Sequence, residues 1–301
     1  MRPGGLNAAL IPIGDWQLAL AVILVLLAGG VSAAFNLGLL RSLAWGTVRA
    51  FLQLTIIGYV LVYIFRWNDP WITGGLLVLM GTVAAWTAVG RAPTRGVLGA
   101  KERGAQDRTP ARFLLARRCP VIHLSPLAPL SLVSLLSSTF LVAAIVVGLV
   151  ISPHPWYSPR VLITITGMIM GNSMNAIALA WERLHSDVAR SRREVEALLS
   201  FGATPWEAVA DSARLAVRAG MLPTVNTLAV VGLVTLPGMM TGQILAGADP
   251  REAVRYQIVV MLMITAATAL GCLLMVALSY RRLFTADGAL APETGPEKTA
   301  R

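Results

Sequence analysis

Apolar stretches of about 20 residues recur along this chain, and their repetition constrains its fold more than any other feature. Seven can be read, at 16–36, 48–66, 71–90, 126–151, 158–181, 223–247 and 255–280. A helix of about 20 residues crosses about 30 Å of hydrocarbon. The second run is the least regular, with Arg49 and Gln53 in its first turns. Charged residues make up 13% of the 301-residue chain and hydrophobic ones 56%, against about 25% charged in a soluble domain. Backbone in lipid must satisfy its own hydrogen bonds. The expected fold is therefore all-α, a polytopic membrane protein with about seven transmembrane helices in one transmembrane domain over 1–284. A Pro-, Gly- and charge-rich tail, 285–301, is expected to be disordered.

A net charge of +10 would suggest nucleic acid as the partner of a soluble protein. Here its distribution points to the membrane instead. On the seven-span reading one side holds Arg41, Arg49, eight cations in 91–118, six in 182–221 and four in the tail, 20 of the 25. The other side holds only Arg2, Arg66, Arg160, Arg251 and Arg255. The positive-inside rule then places the N-terminus outside and the C-terminus inside. It also argues against a cleaved signal peptide at the N-terminus, which would put the eight cations of 91–118 outside. No nucleic acid is expected, and the basic loop 91–123 reads as a cytosolic connector against anionic lipid headgroups. The loop 152–159 reads as a rigid Pro-rich turn with Trp156 and Tyr157 at the interface.

Cys119 and Cys272 form no CxxC pair, and His123, His154 and His185 are scattered. Neither a disulfide nor a bound metal cluster is indicated, and no metal ligand is assigned.

The segment 182–221 is expected to be a rigid cytosolic protrusion. Leu184, Val188, Val195, Leu198 and Leu199 stand among charges, as on an amphipathic helix. Gly202, Ala203, Thr204, Pro205 and Glu207 then read as an elbow. Thr204 is the N-cap, Pro205 the first residue of a helix running towards Arg218, and Glu207 the reciprocal partner of a capping box. An element of fixed shape is what a cytosolic motor needs in order to push on the spans. Glu196 opens 196-EALLSFG-202, which has the spacing that begins the EAA loop of ABC importers but lacks its later Leu-Pro element.

Two spans carry glycines four apart with methionines between them, Gly167/Gly171 and Gly238/Gly242, the second pair just after Pro237. Such pairs let two helix backbones approach closely, and Pro237 reads as a break in the sixth span. Asn172, Asn175, Asn226 and Gln243 are amides at membrane depth, where they must face protein or water. With Met174, Met239 and Met240 they form the candidate substrate pathway, since amide oxygens and thioethers can pass a cation without holding it tightly. Methionine is a soft metal ligand and also a common gap-filler. No Asp or Glu lies deep in a span, so proton coupling through a carboxylate is not expected.

The segments 49-RAFLQLTIIGYVLVYIF-65, 167-GMIMGNSMNAIAL-179, 200-SFGATPWEA-208 and 218-RAGMLPTVNTLAVVGLVTLPGMMTGQILAGADPREAVRYQIVVM-261 resemble the FetB-type permeases of bacterial iron-export ABC transporters, whose plant relatives are linked to aluminium tolerance. The connector at 91–123 is longer and more basic than the family's, and the tail is unrelated. The resemblance implies a multi-pass subunit of the inner (plasma) membrane, a homodimer of permease subunits, and a separate cytosolic ABC ATPase that binds ATP and Mg. It also implies export of iron or a related metal. The chain would then be no enzyme and bind no cofactor. It has two lysines, Lys101 after Ala and Lys298 after Glu, so no Walker A motif can be written. The competing readings are a secondary transporter, which would show inverted repeats and midplane ionisable sites, and an intramembrane enzyme, for which no His/Asp/Glu constellation is present in the spans.

Overall fold

Proline sets where the long helices begin. In the computed structural model, which describes residues 14–35, 40–67, 69–91, 128–153, 157–285 and 288–290, four helices have proline as their first residue. Its fixed φ suits that position, and its missing N–H would have gone unpaired there anyway. In order, the helices are α1 (Asp15–Ala34), α2 (Leu40–Trp67), α3 (Pro70–Arg91), α4 (Ala128–Ile145), α5 (Pro159–Arg190), α6 (Arg192–Ser200), α7 (Pro205–Val230), α8 (Gly238–Leu245) and α9 (Pro250–Ser279). A π-helical turn, Val146–Ile151, continues α4, and a 3-10 turn, Tyr280–Leu283, ends α9. Asp69 and Asp249 repeat one device: each carboxylate accepts the backbone N–H two residues on, from Trp71 and Arg251, at 2.8 Å across an intervening proline.

The all-α reading holds among the described residues, but the span count differs. Among the described residues five helices are long and apolar enough to cross a bilayer: Leu43–Trp67, Pro70–Ala88, Pro129–Ile151, Pro159–Arg190 and Pro250–Leu283. Val22–Ala34 is a shorter apolar helix. The expected second span, 48–66, begins earlier, at Leu40. The expected sixth span, 223–247, is not one helix. Its first third belongs to α7, which starts at Pro205 and runs past Arg218 and through Pro223 to Val230. Residues 231–237 are non-helical, with Gly232 at φ +82°, and helix resumes as α8. Pro237 is the N-cap of α8, so the break expected there lies just before it. The basic loop 91–123 lies beyond Arg91 outside the described residues, as do Trp156 and residues 291–301. Of the remaining tail, Thr285 donates its N–H to Ala289 O, and Phe284 pairs with Leu290 in an isolated bridge.

The helices divide into two compact units, one of Met1–Thr73 with Pro237–Gln257 and one of Gly74–Leu236 with Ile258–Arg301. In the first, α1 packs on α2, with Gly29 against the Leu40 side chain. In the second, α5 and α7 form the most extensive helix pair. The core between them is a ladder of small and aliphatic side chains: Ala176, Ala180, Leu184 and Val188 from α5, then Val209, Ala213 and Ala216 from α7. Cys272 and Val276 of α9 close it.

Spacing of 3 or 4 residues puts each set on one helix face. Gly220 continues the α7 set. A Cβ placed on it would lie 2.7 Å from the Ala176 carbonyl oxygen, 2.8 Å from Cys272 Sγ and 2.9 Å from Ala180 Cβ. Backbone cannot yield as a side chain can, so α5, α7 and α9 would have to separate. By contrast, a Cβ on Gly171, Gly238 or Gly242 meets open space, and one on Gly167 meets only the flexible end of Met80. The glycine pairs expected to pack are not the tight ones within this chain.

Gly220→Ala is therefore expected to destabilise the purified protein by about 1–3 kcal/mol, the range for overpacking. Gly242→Ala and Gly171→Ala should stay within about 0.5 kcal/mol of the parent. Thermal unfolding in detergent by tryptophan fluorescence distinguishes them.

Candidate functional site

The elbow is built as its sequence suggests. α5 has 32 residues, about 48 Å at 1.5 Å per residue, so it outruns the hydrocarbon. Its apolar part ends at Trp181, and Glu182, Arg183, Asp187 and Arg190 mark a polar extension. Half of the expected amphipathic helix is thus a continuation of α5 and the rest is α6. The Arg183–Asp187 and Arg192–Glu196 ion pairs, each at 2.8 Å, brace the two pieces. Ser191 joins them, its hydroxyl and its N–H both donating to Asp187 O.

α6 ends in a Schellman arrangement. Ala203 N–H reaches Leu198 O and Gly202 N–H reaches Leu199 O, each at 3.0 Å, with Gly202 at φ +90°. Thr204 then opens α7. Its N–H and hydroxyl donate to Glu207 Oε2 at 2.8 and 2.7 Å, and Glu207 N–H donates to Thr204 Oγ1 at 3.4 Å. The capping box expected from sequence is present; Gly202, Ala203, Thr204, Pro205 and Glu207 lie on this one bend, and Glu196 lies within α6 before it. Trp206 meets Tyr280 edge-on, ring centroids 5.0 Å apart, and ties the bend to the end of α9. At its tip Phe201 is 89% exposed, flanked by exposed Leu198 and Trp206.

The amides sit differently from the expectation of an interior pathway. Asn172 and Asn175 are exposed on α5, and Asn172 Nδ2 donates to Met168 O at 2.9 Å. Met174 alone of that group turns inward, half-buried against the cluster of Ala85, Leu135, Ile177, Trp181 and Met275. Asn226 is exposed on α7. Because the short elbow makes α5 and α7 antiparallel, Gly220 lies level with Ala176 and Ala180. Six residues further, about 9 Å, Asn226 comes level with the Asn172 turn of α5. These amides therefore occupy one depth on the outside of the helix pair. In the other unit Met240 is buried, Met239 is half-buried, and Gln243 Oε1 is buried without a hydrogen-bond partner. Thr241 needs no pathway to explain it, since its hydroxyl donates to Pro237 O at 3.1 Å.

Sequence reasoning missed a buried hydroxyl seam. Ser131, Ser134, Ser138 and Thr139 of α4, Thr166 and Ser173 of α5, and Thr268 of α9 are all buried. Ser134 donates to its own helix and lies 3.9 Å from Met275 Sδ of α9, while Thr139, Thr166 and Ser173 have no partner. The 131–134–138 spacing on one helix face was the available signal. Among the described residues no three His, Cys, Asp or Glu side chains converge on a possible metal site.

Residues 15–100 and 113–284 match the family described as "Uncharacterised protein family (UPF0014)". The chain is 38% identical over 249 residues to the "UPF0014 membrane protein slr1647" of Synechocystis, covering 83% of this chain and 85% of that one. It is 32% identical over 272 residues to the "Probable iron export permease protein FetB" of Escherichia coli, covering 90% and 93%. With the "UPF0014 membrane protein STAR2" of rice it shares 33% identity over 274 residues, covering 91% and 85%. No solved structure matches.

Glu207 accepts its hydrogen bonds as a carboxylate, and the Thr204 hydroxyl, then the Thr204 N–H, hold its pKa below the ordinary 4.5. A lowered folded value means that the box contributes fully above that ordinary pH and fades as pH falls through the folded value. The protection of the first α7 amides, read by hydrogen exchange corrected for the intrinsic rate, should accordingly fall as pH drops through the carboxylate range. At neutral pH, Thr204→Ala should also lower that protection, since the Oγ1 contacts with Glu207 are lost.

Proposed function

The chain belongs to the UPF0014 family, and from that premise we propose that it is the membrane permease subunit of an ABC transporter that exports iron or a related metal ion. ATP would be bound, with Mg, and hydrolysed by a separate cytosolic ATPase subunit. The chain lies in the cytoplasmic (inner) membrane, its N-terminus outside and its C-terminus inside, as the asymmetry of its cations favours. The observation that carries this reading is the elbow. A Schellman turn and a capping box back to back leave the bend at Gly202–Thr204 rigid, and it ends in the exposed ring of Phe201. An exposed aromatic on a stiff protrusion is how a docking anchor is built.

In this mechanism the closing ATPase subunits push on Phe201 and Trp206. α6 and the polar end of α5 carry the displacement to the α5–α7 ladder, whose close packing moves as one body. The transported ion is the substrate, met by amide and thioether groups that bind it weakly enough to release it. A secondary transporter would lack the need for such a protrusion.

The test is co-purification with a candidate ATPase and measurement of metal-stimulated hydrolysis. Phe201→Asp is expected to abolish the association. The double substitution Gly202→Leu, Pro205→Leu should leave hydrolysis by the ATPase but uncouple it from transport. Coupled transport that survives the double substitution would refute the elbow's role.

A further inference from the structure

The buried hydroxyl seam has more polar capacity than its own helices use. A serine or threonine in a helix ordinarily donates to the carbonyl three or four residues back, as Thr47, Thr55 and Thr82 do. Ser134, Ser138 and Thr268 follow that rule, donating to Ser131 O, Leu135 O and Ile264 O. Each still has lone pairs with which to accept. Thr139, Thr166 and Ser173 do not follow it. Their hydroxyls have no partner, and none of the three residues is more than 1% exposed. Such groups are costly in an apolar interior unless a guest pairs with them.

All six lie in the second unit, and packing puts them on one track. A Cβ placed on Gly271 of α9 would lie 2.9 Å from Ile177 Cδ1 of α5 and 3.2 Å from Ser138 Oγ of α4, so the three helices meet there. Met275, a turn further along α9, shares a cluster with Trp181, a turn further along α5. Those two helices therefore run side by side in one direction. Ser173 stands a turn before Ile177 and Thr268 a turn before Gly271, which brings both within about a turn of Ser138 and Thr139. Thr166 lies on the same face of α5 as Ser173, about 10 Å further on. Ser134 lies the other way, its Oγ 3.9 Å from Met275 Sδ. From the level of Trp181 to Thr166 the track covers about 22 Å at 1.5 Å per residue, most of the ~30 Å of hydrocarbon.

We propose that this seam binds a file of water molecules, running through the interior of a single copy of the chain between α4, α5 and α9. Three observations select water. The back-bonded hydroxyls have only accepting capacity left, so the guest must donate, and the unpartnered ones take a hydrogen bond of either sense. No charged residue occurs in 129–151, 161–181 or 256–280, so nothing there offsets the charge of a bare cation. The hydroxyls come from three helices, and a buried water makes about three hydrogen bonds to groups otherwise unpaired. α5 thereby has two unlike faces. Against α7 it is dry and fixed by the backbone approach at Gly220. Against α4 and α9 it is bridged by water, and such contacts re-form after a small shift. The proposal goes beyond the permease reading and does not depend on it.

The experiment is millisecond X-ray radiolysis of the full chain in lipid nanodiscs, which oxidises side chains in contact with bound water. Met275 is 1% exposed, so in a dry core it stays unmodified. Beside the water file it should be oxidised in the parent and largely protected in the triple variant Ser134→Ala, Thr139→Val, Ser173→Ala. A parent Met275 that stays unmodified overturns the proposal. Thermal unfolding of single variants then gives opposite signs for a wet and a dry seam. Thr139→Val and Thr166→Val keep the side chain's shape and remove its hydroxyl. Where the hydroxyl binds water, the change strands that water and Tm falls; where it is dry, the change removes an unpaired group and Tm rises. Thr55→Val, exposed on α2, should leave Tm unchanged. A rise in Tm for both seam variants overturns the proposal. So does a parent Tm that is higher in NaCl or KCl than in choline chloride and loses that difference in Thr139→Val, since the guest would then be a metal cation. None of these readouts uses ATP, iron or a partner, so their failure leaves the permease reading standing, and its failure leaves them intact.

Discussion

The tightest approach of a glycine to backbone in the second unit is where Gly220 of α7 lies against the Ala176 carbonyl of α5, with Cys272 of α9 at the same spot. The rest of the unit's geometry follows from that approach. Because no side chain separates the backbones there, α5 and α7 run as an antiparallel pair whose small residues interlock turn by turn. On one side of the crossing the pair extends out of the hydrocarbon and ends in the elbow. On the other it reaches the amide level and then the non-helical break. A displacement at one end cannot be absorbed at a contact made by backbone, so it is delivered to the other. On the proposed reading this gives Gly220 the place of a fulcrum, although it contacts neither partner nor substrate.

Hydroxyls and amides meet different fates in this chain, for a reason of reach. Thr47, Thr55, Thr82, Thr227 and Thr241 each donate to the carbonyl four residues back, so they are satisfied at any depth without a neighbouring helix. Asn172 does the same with its Nδ2, but an amide still has a carbonyl oxygen able to accept. Polar residues in a span are therefore informative in proportion to what local back-bonding leaves over. By that measure Thr241 says little about a pathway, while Gln243, with its buried oxygen unpartnered, says more.

Local chemistry made parts of the structure legible in the sequence. The Thr204–Pro205–Glu207 box, the glycine that ends α6 and the helical character of the apolar runs other than the sixth are decided within a few residues of chain, and each is found where its residues suggested. Asp69–Pro70 and Asp249–Pro250 were legible by the same rule. Features decided by distant neighbours were not. Gly167/Gly171 and Gly238/Gly242 have the spacing of a packing motif, yet Gly220 makes the tight contact because Ala213 and Ala216 share its face and α5 offers alanines opposite. The break in the sixth span was expected at Pro237 but begins earlier, at Val231, because hydropathy does not register backbone conformation. Gly232, in the left-handed region, breaks the helix within a run as apolar as its surroundings.

The break also bears on why the pathway would use amides rather than charges. A carboxylate at membrane depth would hold a metal ion strongly and would itself be costly to bury in the empty state. Amide oxygens carry only partial charge, so they can replace some of an ion's water without trapping it, and they remain neutral between passages. The non-helical segment that follows α7 begins at Val231, about a helical turn beyond Asn226. On the proposed reading, the elbow side of the pair stays stiff enough to transmit a push while the amide side rearranges around the ion. Along that one helix Gly220 fixes the ladder, and Pro223 one turn later has no N–H to offer the Ala219 carbonyl.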